Sequence, residues 1–137
     1  MTSEVVYNGD LRTTCTHLKS GSQIETDAPV DNNGKGERFS PTDLLATGLA
    51  ACMLTVMGIK ARSMDFDLND IKIEVQKIMA ENPRRVAGID LKFHIPEHLI
   101  QLDPKTITIL KNTAATCPVK KSLHPDVVIN MDWGAWS

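Results

Sequence analysis

The feature that most constrains this fold is a long apolar run that follows Ser40 and Pro41. Ser40 is a favoured N-cap residue, Pro41 suits the first helical position, and Asp43 stands where a capping box places its acidic residue. The sequence therefore predicts a helix over about residues 42–64. Apolar residues cover almost its whole circumference, so nearly every side must be buried. In a chain of 137 residues, a sheet and another helix, or a second subunit, must enclose it.

Alternating apolar and polar residues predict strands on both sides of this helix. Threonine-rich segments separated by tight turns predict short antiparallel strands before it, at residues 5–7, 11–18 and 23–26. Two alternating runs after it, at residues 71–75 and 89–95, predict a long hairpin with one buried face.

A second cap-and-proline signal, Asp103-Pro104, predicts a helix that ends near residue 117. A short helix over 119–123 and a final strand over 127–131 follow. The order strands, helix, strands, helix, strand predicts an α+β fold with an antiparallel sheet. Because no repeat or linker interrupts the chain, we expect a single domain over residues 1–137.

The charge balance argues against several classes of function. The chain has 15 basic and 17 acidic residues, whereas a nucleic-acid-binding protein usually carries a strongly basic surface. Aromatic residues make up only 4%, so platforms for base stacking are not expected. The apolar stretch 44–59 is shorter than the ~20 residues of a bilayer span, so no membrane association is expected.

The three cysteines are an odd number in a chain large enough to fold without disulfides. The acidic, polar N-terminal segment does not predict a signal peptide. We therefore expect a reducing, cytoplasmic location, where cysteines are free, metal-bound or redox-active. Neither a CxxC pair nor an HExxH motif is present, so the sequence predicts no metal site and no cofactor.

The cysteines differ in predicted reactivity. Cys52 lies about three turns into the apolar helix, beyond the reach of its dipole, so its thiol is inert unless a cation approaches it. Cys117 precedes Pro118, where the unpaired amides of a new helix favour a thiolate. Spacing alone does not show that these two sulfurs meet. Cys15, on a predicted strand, is interpreted as a packing residue.

The residues around both of these cysteines resemble a known family. The segment FSPTDLL at 39–45, with AAC at 50–52, resembles the OsmC/Ohr family of osmotically induced and organic-hydroperoxide-resistance proteins. TCPV at 116–119, followed by the final strand, resembles the second cysteine region of that family. The resemblance extends over nearly the whole chain. It implies an intertwined homodimer whose sheets wrap around central, cysteine-bearing helices.

The resemblance also implies a thiol-dependent peroxidase for small organic hydroperoxides. Cys52 matches the attacking cysteine, which becomes a sulfenic acid, and Cys117 matches the resolving cysteine, which forms a disulfide with it. An external dithiol then reduces that disulfide by exchange. A low pKa would make Cys117 a good leaving group in this last step.

The chain departs from the organic-hydroperoxide-resistance proteins at one position. In those proteins a glutamate directly follows the helix-start proline and helps to hold an arginine over the attacking cysteine, whereas Thr42 stands there in this chain. The cation could come from Arg38, Arg12 or Lys19, which are not equivalent because lysine lacks the planar fork of arginine. Glu37 and Arg38 are the favoured pair because they immediately precede the helix.

Two other functions are compatible with the sequence. The missing glutamate is consistent with a protein of the same dimeric fold that binds a small apolar or acyl ligand without converting it. A cysteine-dependent acyl-transfer enzyme would need a histidine within hydrogen-bond reach of one thiol. No motif marks any of the four histidines, which are His17, His94, His98 and His124.

Overall fold

A computed structural model describes all residues of the chain, 1–137, and shows the predicted α+β class. The chain divides into two compact units, Met1–Leu45 and Ala46–Ser137, and each is described by itself. The expectation of one domain over residues 1–137 stays a prediction.

The first unit contains an antiparallel sheet in the order β1-β2-β3. Its strands are β1 (Ser3–Gly9), β2 (Arg12–His17) and β3 (Gln23–Asp27), and a short 3-10 helix follows (Val30–Asn32). These strands confirm the three predicted before the helix. Cys15 lies between Val5 and Ile24 in the register, so these three residues share one face. Val5 and Ile24 remain 62% and 51% exposed, which leaves this face largely uncovered in the single chain.

Helix α1 (Pro41–Ser63) begins with the predicted capping box. The Ser40 hydroxyl accepts the Asp43 backbone N–H at 3.0 Å, and the Asp43 carboxylate accepts the Ser40 N–H at 2.9 Å. Two backbone donors that the helix cannot satisfy internally are thereby paired. The helix start could be predicted because every group involved is local in sequence.

We expect nearly every side of α1 to be buried, and the single chain buries one stripe of it. The buried residues of the helix recur at helical spacing, and they are Ala46, Leu49, Ala50, Met53, Met57 and Ala61. Leu45 and Ile59, on the other side, are 41% and 64% exposed. The chain by itself thus covers one side of the helix only, and the expected cover of the other sides by a second subunit stays a prediction.

The helix is also longer than the apolar stretch 44–59 on which the expectation about membranes rested. With 23 residues and a mean hydropathy of 1.7 over its best window, α1 is long and apolar enough to cross a membrane by length and composition alone. The core helix of a soluble protein passes the same test. The buried stripe of α1 packs into the hydrophobic core of the second unit, and 33% of the apolar window is buried.

The second unit contains a sheet in the order β4-β5-β6, with β4 (Lys72–Ala80), β5 (Arg85–His94) and β6 (Val128–Asp132). Strands β4 and β5 form the predicted antiparallel hairpin. Strand β6 pairs with β5 in parallel, so the prediction of a wholly antiparallel sheet is wrong for this pair. The helices between the two strands form a crossover connection, which brings the chain back in the same direction.

These helices are α2 (Glu97–Ile100), α3 (Pro104–Ala114) and α4 (Pro118–Ser122). Helix α3 begins as predicted, since the Asp103 carboxylate accepts the Thr106 backbone N–H at 3.0 Å. The predicted short helix after residue 118 is α4, whereas α2 and the 3-10 helix at Gly134–Trp136 were not predicted. The core of the unit lies between the sheet, α1 and α3, with Phe93, Met53 and Leu110 fully buried.

Candidate thiol site

Cys52 lies on α1 at the border of the buried stripe. Its neighbours Leu49 and Met53 are fully buried, whereas Ala51 and Thr55 are exposed. Because successive helical residues are turned by about 100°, Cys52 falls between the two sides. Its side chain is half-buried and packs against the hydrophobic core. This position keeps the thiol partly accessible.

Cys117 lies in the short connection between α3 and α4. Its backbone N–H donates to the Ala114 carbonyl at 3.3 Å, and Pro118 then begins α4. Cys117 is the N-cap residue of α4, and its Sγ accepts the Lys120 backbone N–H at 3.3 Å. The side chain is fully buried. The amides expected at this position therefore do point at the sulfur.

The two thiols meet in the second unit. Both cysteines are free, and Cys52 lies close enough to Cys117 to raise the pKa of that thiol. The sequence leaves this contact open, because nothing local connects residues that lie so far apart along the chain. The fold brings them together because α1 and the α3–α4 connection both pack into one core.

The expected low pKa of Cys117 is wrong, because the structure raises the pKa of this thiol above its ordinary value. Burial is the largest cause, since it penalises the charged form. The backbone amides of Lys120 and Val119 lower the pKa, but Cys52 raises it through the hydrogen bond between the thiols and through its charge. Cys117 is thus held as a thiol.

The side chains of the favoured residues Glu37 and Arg38 contact other charged residues. Arg38 is exposed, its Nε lies 3.3 Å from the Glu25 carboxylate, and its Nη1 donates to the Glu37 backbone carbonyl at 3.0 Å. The Glu37 carboxylate instead lies 3.5 Å from Nη2 of Arg12. Lys19 is exposed in the turn after β2.

Arg12 is held more firmly than the other two basic candidates. Its Nε and Nη2 donate to the two carboxylate oxygens of Asp27 at 2.7 and 2.8 Å. Asp27 is only 1% exposed, and the Glu37 backbone N–H also donates to it at 3.1 Å. The hydrogen bond from Arg12 is the main cause that lowers the pKa of Asp27 to about 2.

Asp27 was missed by the sequence analysis. Its only signal is that it faces Arg12 across β2 and β3, which is visible only when the strand register is known. Arg12, Asp27, Glu37 and Arg38 belong to the unit Met1–Leu45, whereas both site cysteines belong to Ala46–Ser137. The cation that assists Cys52 therefore stays a prediction.

The histidines have partners other than the two site thiols. The ring of His94 contacts the Glu74 carboxylate at 2.7 Å, and that of His17 contacts the Ser20 hydroxyl at 2.6 Å. The remaining rings contact Asp67 and Asp126, from His98 and His124 respectively. None of these contacts prepares a thiol for acyl transfer. No three His, Cys, Asp or Glu side chains are grouped so that they could hold a metal ion.

Two small sheets, a long core helix and a pair of adjoining thiols define an α+β protein of the OsmC-like type. Residues 34–132 match the family described as OsmC-like protein, and the chain belongs to that family. The resemblance in the cysteine segments is therefore confirmed at the level of the family. No curated protein matches the chain.

Solved structures show the same fold. A Psychrobacter arcticus protein, named for an osmotic stress induced and detoxification response, is 54% identical with a TM-score of 0.92, covering 97% of this chain and 95% of that one. The organic hydroperoxide resistance protein OsmC from Legionella pneumophila is 19% identical with a TM-score of 0.72, covering 97% of this chain and 96% of that one. The organic hydroperoxide resistance protein OhrB of Bacillus subtilis is 20% identical with a TM-score of 0.66, covering 97% of this chain and 98% of that one.

Proposed function

We propose that this protein is a thiol-dependent peroxidase that reduces small organic hydroperoxides through Cys52 and Cys117. The observation that carries the proposal is the meeting of these two free thiols, from α1 and from the N-cap of α4, in one core. Membership of the OsmC-like family supports a peroxide-related role, since two of its similar structures are named for resistance to organic hydroperoxides.

The proposed reaction balances as follows. The Cys52 thiolate attacks one oxygen of the hydroperoxide, the O–O bond breaks, and the alcohol leaves after it is protonated. Cys52 becomes a sulfenic acid. The Cys117 sulfur then attacks the Cys52 sulfur, a disulfide forms, and water leaves. An external dithiol returns the two electrons and restores both thiols.

The burial of the two cysteines supports this division of roles. A peroxide can approach half-buried Cys52, whereas Cys117 is fully buried within its own chain. Because burial raises the pKa of Cys117, its sulfur is held as a thiol and is a weaker nucleophile than a thiolate towards a peroxide. These properties favour Cys52 as the attacking residue and Cys117 as the resolving residue.

Arg12 is the first candidate for the cation that assists Cys52. Its guanidinium is already fixed by Asp27, so it loses less conformational freedom in a charged site than the exposed Arg38 would. The buried carboxylate of Asp27 would then do what the glutamate absent at Thr42 does in the organic-hydroperoxide-resistance proteins. Arg38 and Lys19 remain the alternatives.

We also propose a homodimer in a reducing, cytoplasmic location. Exposed apolar residues on α1 and on the first sheet support the dimer, among them Ile59 at 64% and Val5 at 62%. Burial of such surface is the main favourable term in protein association. Sedimentation of the purified protein would distinguish the dimer from the monomer.

Binding of an apolar or acyl ligand without turnover is the second candidate function. A groove of about 460 Å³ between the exposed side of α1 and the segment after it supports this alternative, with Leu54, Ile59, Phe66 and Leu68 in its lining. Grooves of this size accept small ligands. Native mass spectrometry would then show a bound ligand, and peroxide would leave the cysteines unchanged.

The peroxidase is tested with cumene hydroperoxide as substrate and dithiothreitol as the dithiol. Cys52→Ser should abolish turnover. Without dithiothreitol, Cys117→Ser should reduce one equivalent of peroxide and stop at a Cys52 sulfenic acid, where the wild type forms a disulfide. Cys15→Ser is the matched control and should keep full activity, because Cys15 lies on β2 outside the thiol pair. Full dithiol-dependent activity in both Cys52→Ser and Cys117→Ser would refute the mechanism.

A further inference from the structure

The two sulfurs of the proposed disulfide differ in access and in hydrogen bonding, and this difference determines how the disulfide is reduced. We infer that the external thiolate attacks Sγ of Cys52. Cys117 then leaves as a thiolate that accepts a hydrogen bond from the backbone N–H of Lys120. The inference rests on the proposed function, because that function supplies the disulfide and its need for a dithiol.

Access favours attack at Cys52. The Cys117 side chain is 0% exposed within its own chain, and any association with another chain can only keep it buried. Cys52 is half-buried. Under the proposed function its sulfur must already be reachable by a peroxide, so a small thiol can use the same approach. An attack on Cys117 would require the packing around the α3–α4 connection to open.

Hydrogen bonding favours Cys117 as the leaving group. Its Sγ already accepts the Lys120 N–H at 3.3 Å, at the N-terminal end of α4. A thiolate is a stronger acceptor than a disulfide sulfur, so this hydrogen bond strengthens as charge develops during bond cleavage. Burial opposes the charge and raises the pKa of Cys117, which slows its departure, and the amide donors of Lys120 and Val119 offset part of that cost.

Each step balances in atoms and electrons. The first thiolate of the dithiol bonds to the Cys52 sulfur, the bond between Cys52 and Cys117 breaks, and the Cys117 thiolate takes a proton. The second thiol of the reductant, as its thiolate, attacks the reductant's own sulfur in the mixed disulfide. The Cys52 thiolate leaves, and the reductant departs as an internal disulfide that has given up two electrons.

The mixed disulfide itself is the test. The full-length wild-type protein is oxidised with diamide, which makes the disulfide without peroxide, and is then mixed briefly with 2-mercaptoethanol. Acid stops the exchange, and N-ethylmaleimide in denaturant labels the free cysteines before peptide mass spectrometry. We expect 2-mercaptoethanol on Cys52 and maleimide on Cys117 in at least about tenfold excess over the reverse, as the difference in burial implies. Equal or reversed labelling would overturn the inference.

A pair of variants tests the Lys120 amide. Lys120→Pro removes the backbone donor, whereas Lys120→Ala keeps it and changes only the side chain. Because a hydrogen bond to a charged group is involved, reduction of the disulfide should be about tenfold or more slower in Lys120→Pro than in Lys120→Ala. Equal rates in a Lys120→Pro variant whose circular dichroism shows it folded would overturn the role of the amide. If that variant does not fold, the labelling experiment on the wild-type protein tests which sulfur is attacked.

The two oxidants separate this inference from the proposed function. If the disulfide forms with diamide but not with cumene hydroperoxide, the proposed peroxidase function is refuted. The labelling experiment would still show which sulfur the external thiol attacks. If diamide forms no bond between Cys52 and Cys117, the order of attack is refuted as well, since the bond that it describes does not exist.

Discussion

The guanidinium of Arg12 donates two hydrogen bonds to the carboxylate of Asp27, at 2.7 and 2.8 Å, across neighbouring strands β2 and β3. The carboxylate is almost completely buried, and its oxygen also accepts the backbone N–H of Glu37 at the end of the loop that leads to α1. A single buried acid thus connects a strand, a basic side chain and the approach to the cysteine-bearing helix.

Asp27→Asn should destabilise the protein at neutral pH, because it leaves the Arg12 charge without its partner. The pKa of Asp27 is lowered to about 2 from an ordinary 3.8, so its contribution is complete above about pH 4 and is lost as the pH falls towards 2. Urea unfolding at several pH values measures this. The wild type and the variant should converge in stability as the pH approaches 2.

The matched control for Asp27→Asn is Glu25→Gln. This change breaks the ion pair with Arg38, whose atoms lie 3.3 Å apart and whose side chains are both more than a third exposed. Exposed pairs contribute little because solvent screens them, so the control should change the unfolding free energy much less. Equal losses in both variants would contradict the assignment of a special role to the buried pair.

Arg12→Lys tests the proposed cation in the peroxidase assay. Lysine keeps the charge but cannot make both hydrogen bonds to Asp27, so the rate of Cys52 oxidation should fall at least about tenfold. Arg38→Lys is the control and should change that rate less than about twofold, since Arg38 is exposed. Competition with a peroxidase of known rate measures both. A larger loss of rate in Arg38→Lys than in Arg12→Lys would instead support Arg38 as the cation that assists Cys52.

Ser40→Ala removes one half of the capping box of α1. The Asp43 N–H would lose its side-chain acceptor, so the unfolding free energy should fall by about 1 kcal/mol. Ser63→Ala, at the exposed end of the same helix, should cost less than about 0.5 kcal/mol. Chemical denaturation of both variants gives the comparison. A cost for Ser63→Ala that equals or exceeds that for Ser40→Ala would contradict the capping argument.

Local signals predicted much of the fold. The capping residues Ser40 and Asp103 predicted where α1 and α3 begin, since a cap and the amides it satisfies lie within one helical turn. The alternation of apolar and polar residues, which is also a local signal, predicted the β4–β5 hairpin. The parallel pairing of β6 with β5 was not predicted, because strand direction depends on the whole connection between the strands and not on the strand itself.

The site could be predicted only in part. The resemblance predicts Cys52 and Cys117 as the reacting pair, which stays a prediction, and the cap position of Cys117 beside Pro118 was visible locally. The contact between the thiols depends on how α1 and the α3–α4 connection pack, which no local pattern encodes. The pKa of Cys117 was predicted in the wrong direction because the sequence shows the amide donors but not the depth of burial, and burial is the larger effect.

The raised pKa of Cys117 makes the resolving step sensitive to pH. Disulfide formation needs the Cys117 thiolate, so its rate should rise about tenfold per pH unit until the pH reaches the pKa of that thiol. We expect no plateau below the pKa range of an ordinary cysteine. The measurement uses one equivalent of cumene hydroperoxide without reductant, acid quenching and mass spectrometry of the disulfide. Cys117→Ser is the control and should form no disulfide with Cys52. A plateau near neutral pH would show that the amides of Lys120 and Val119 outweigh burial, and would contradict the raised pKa.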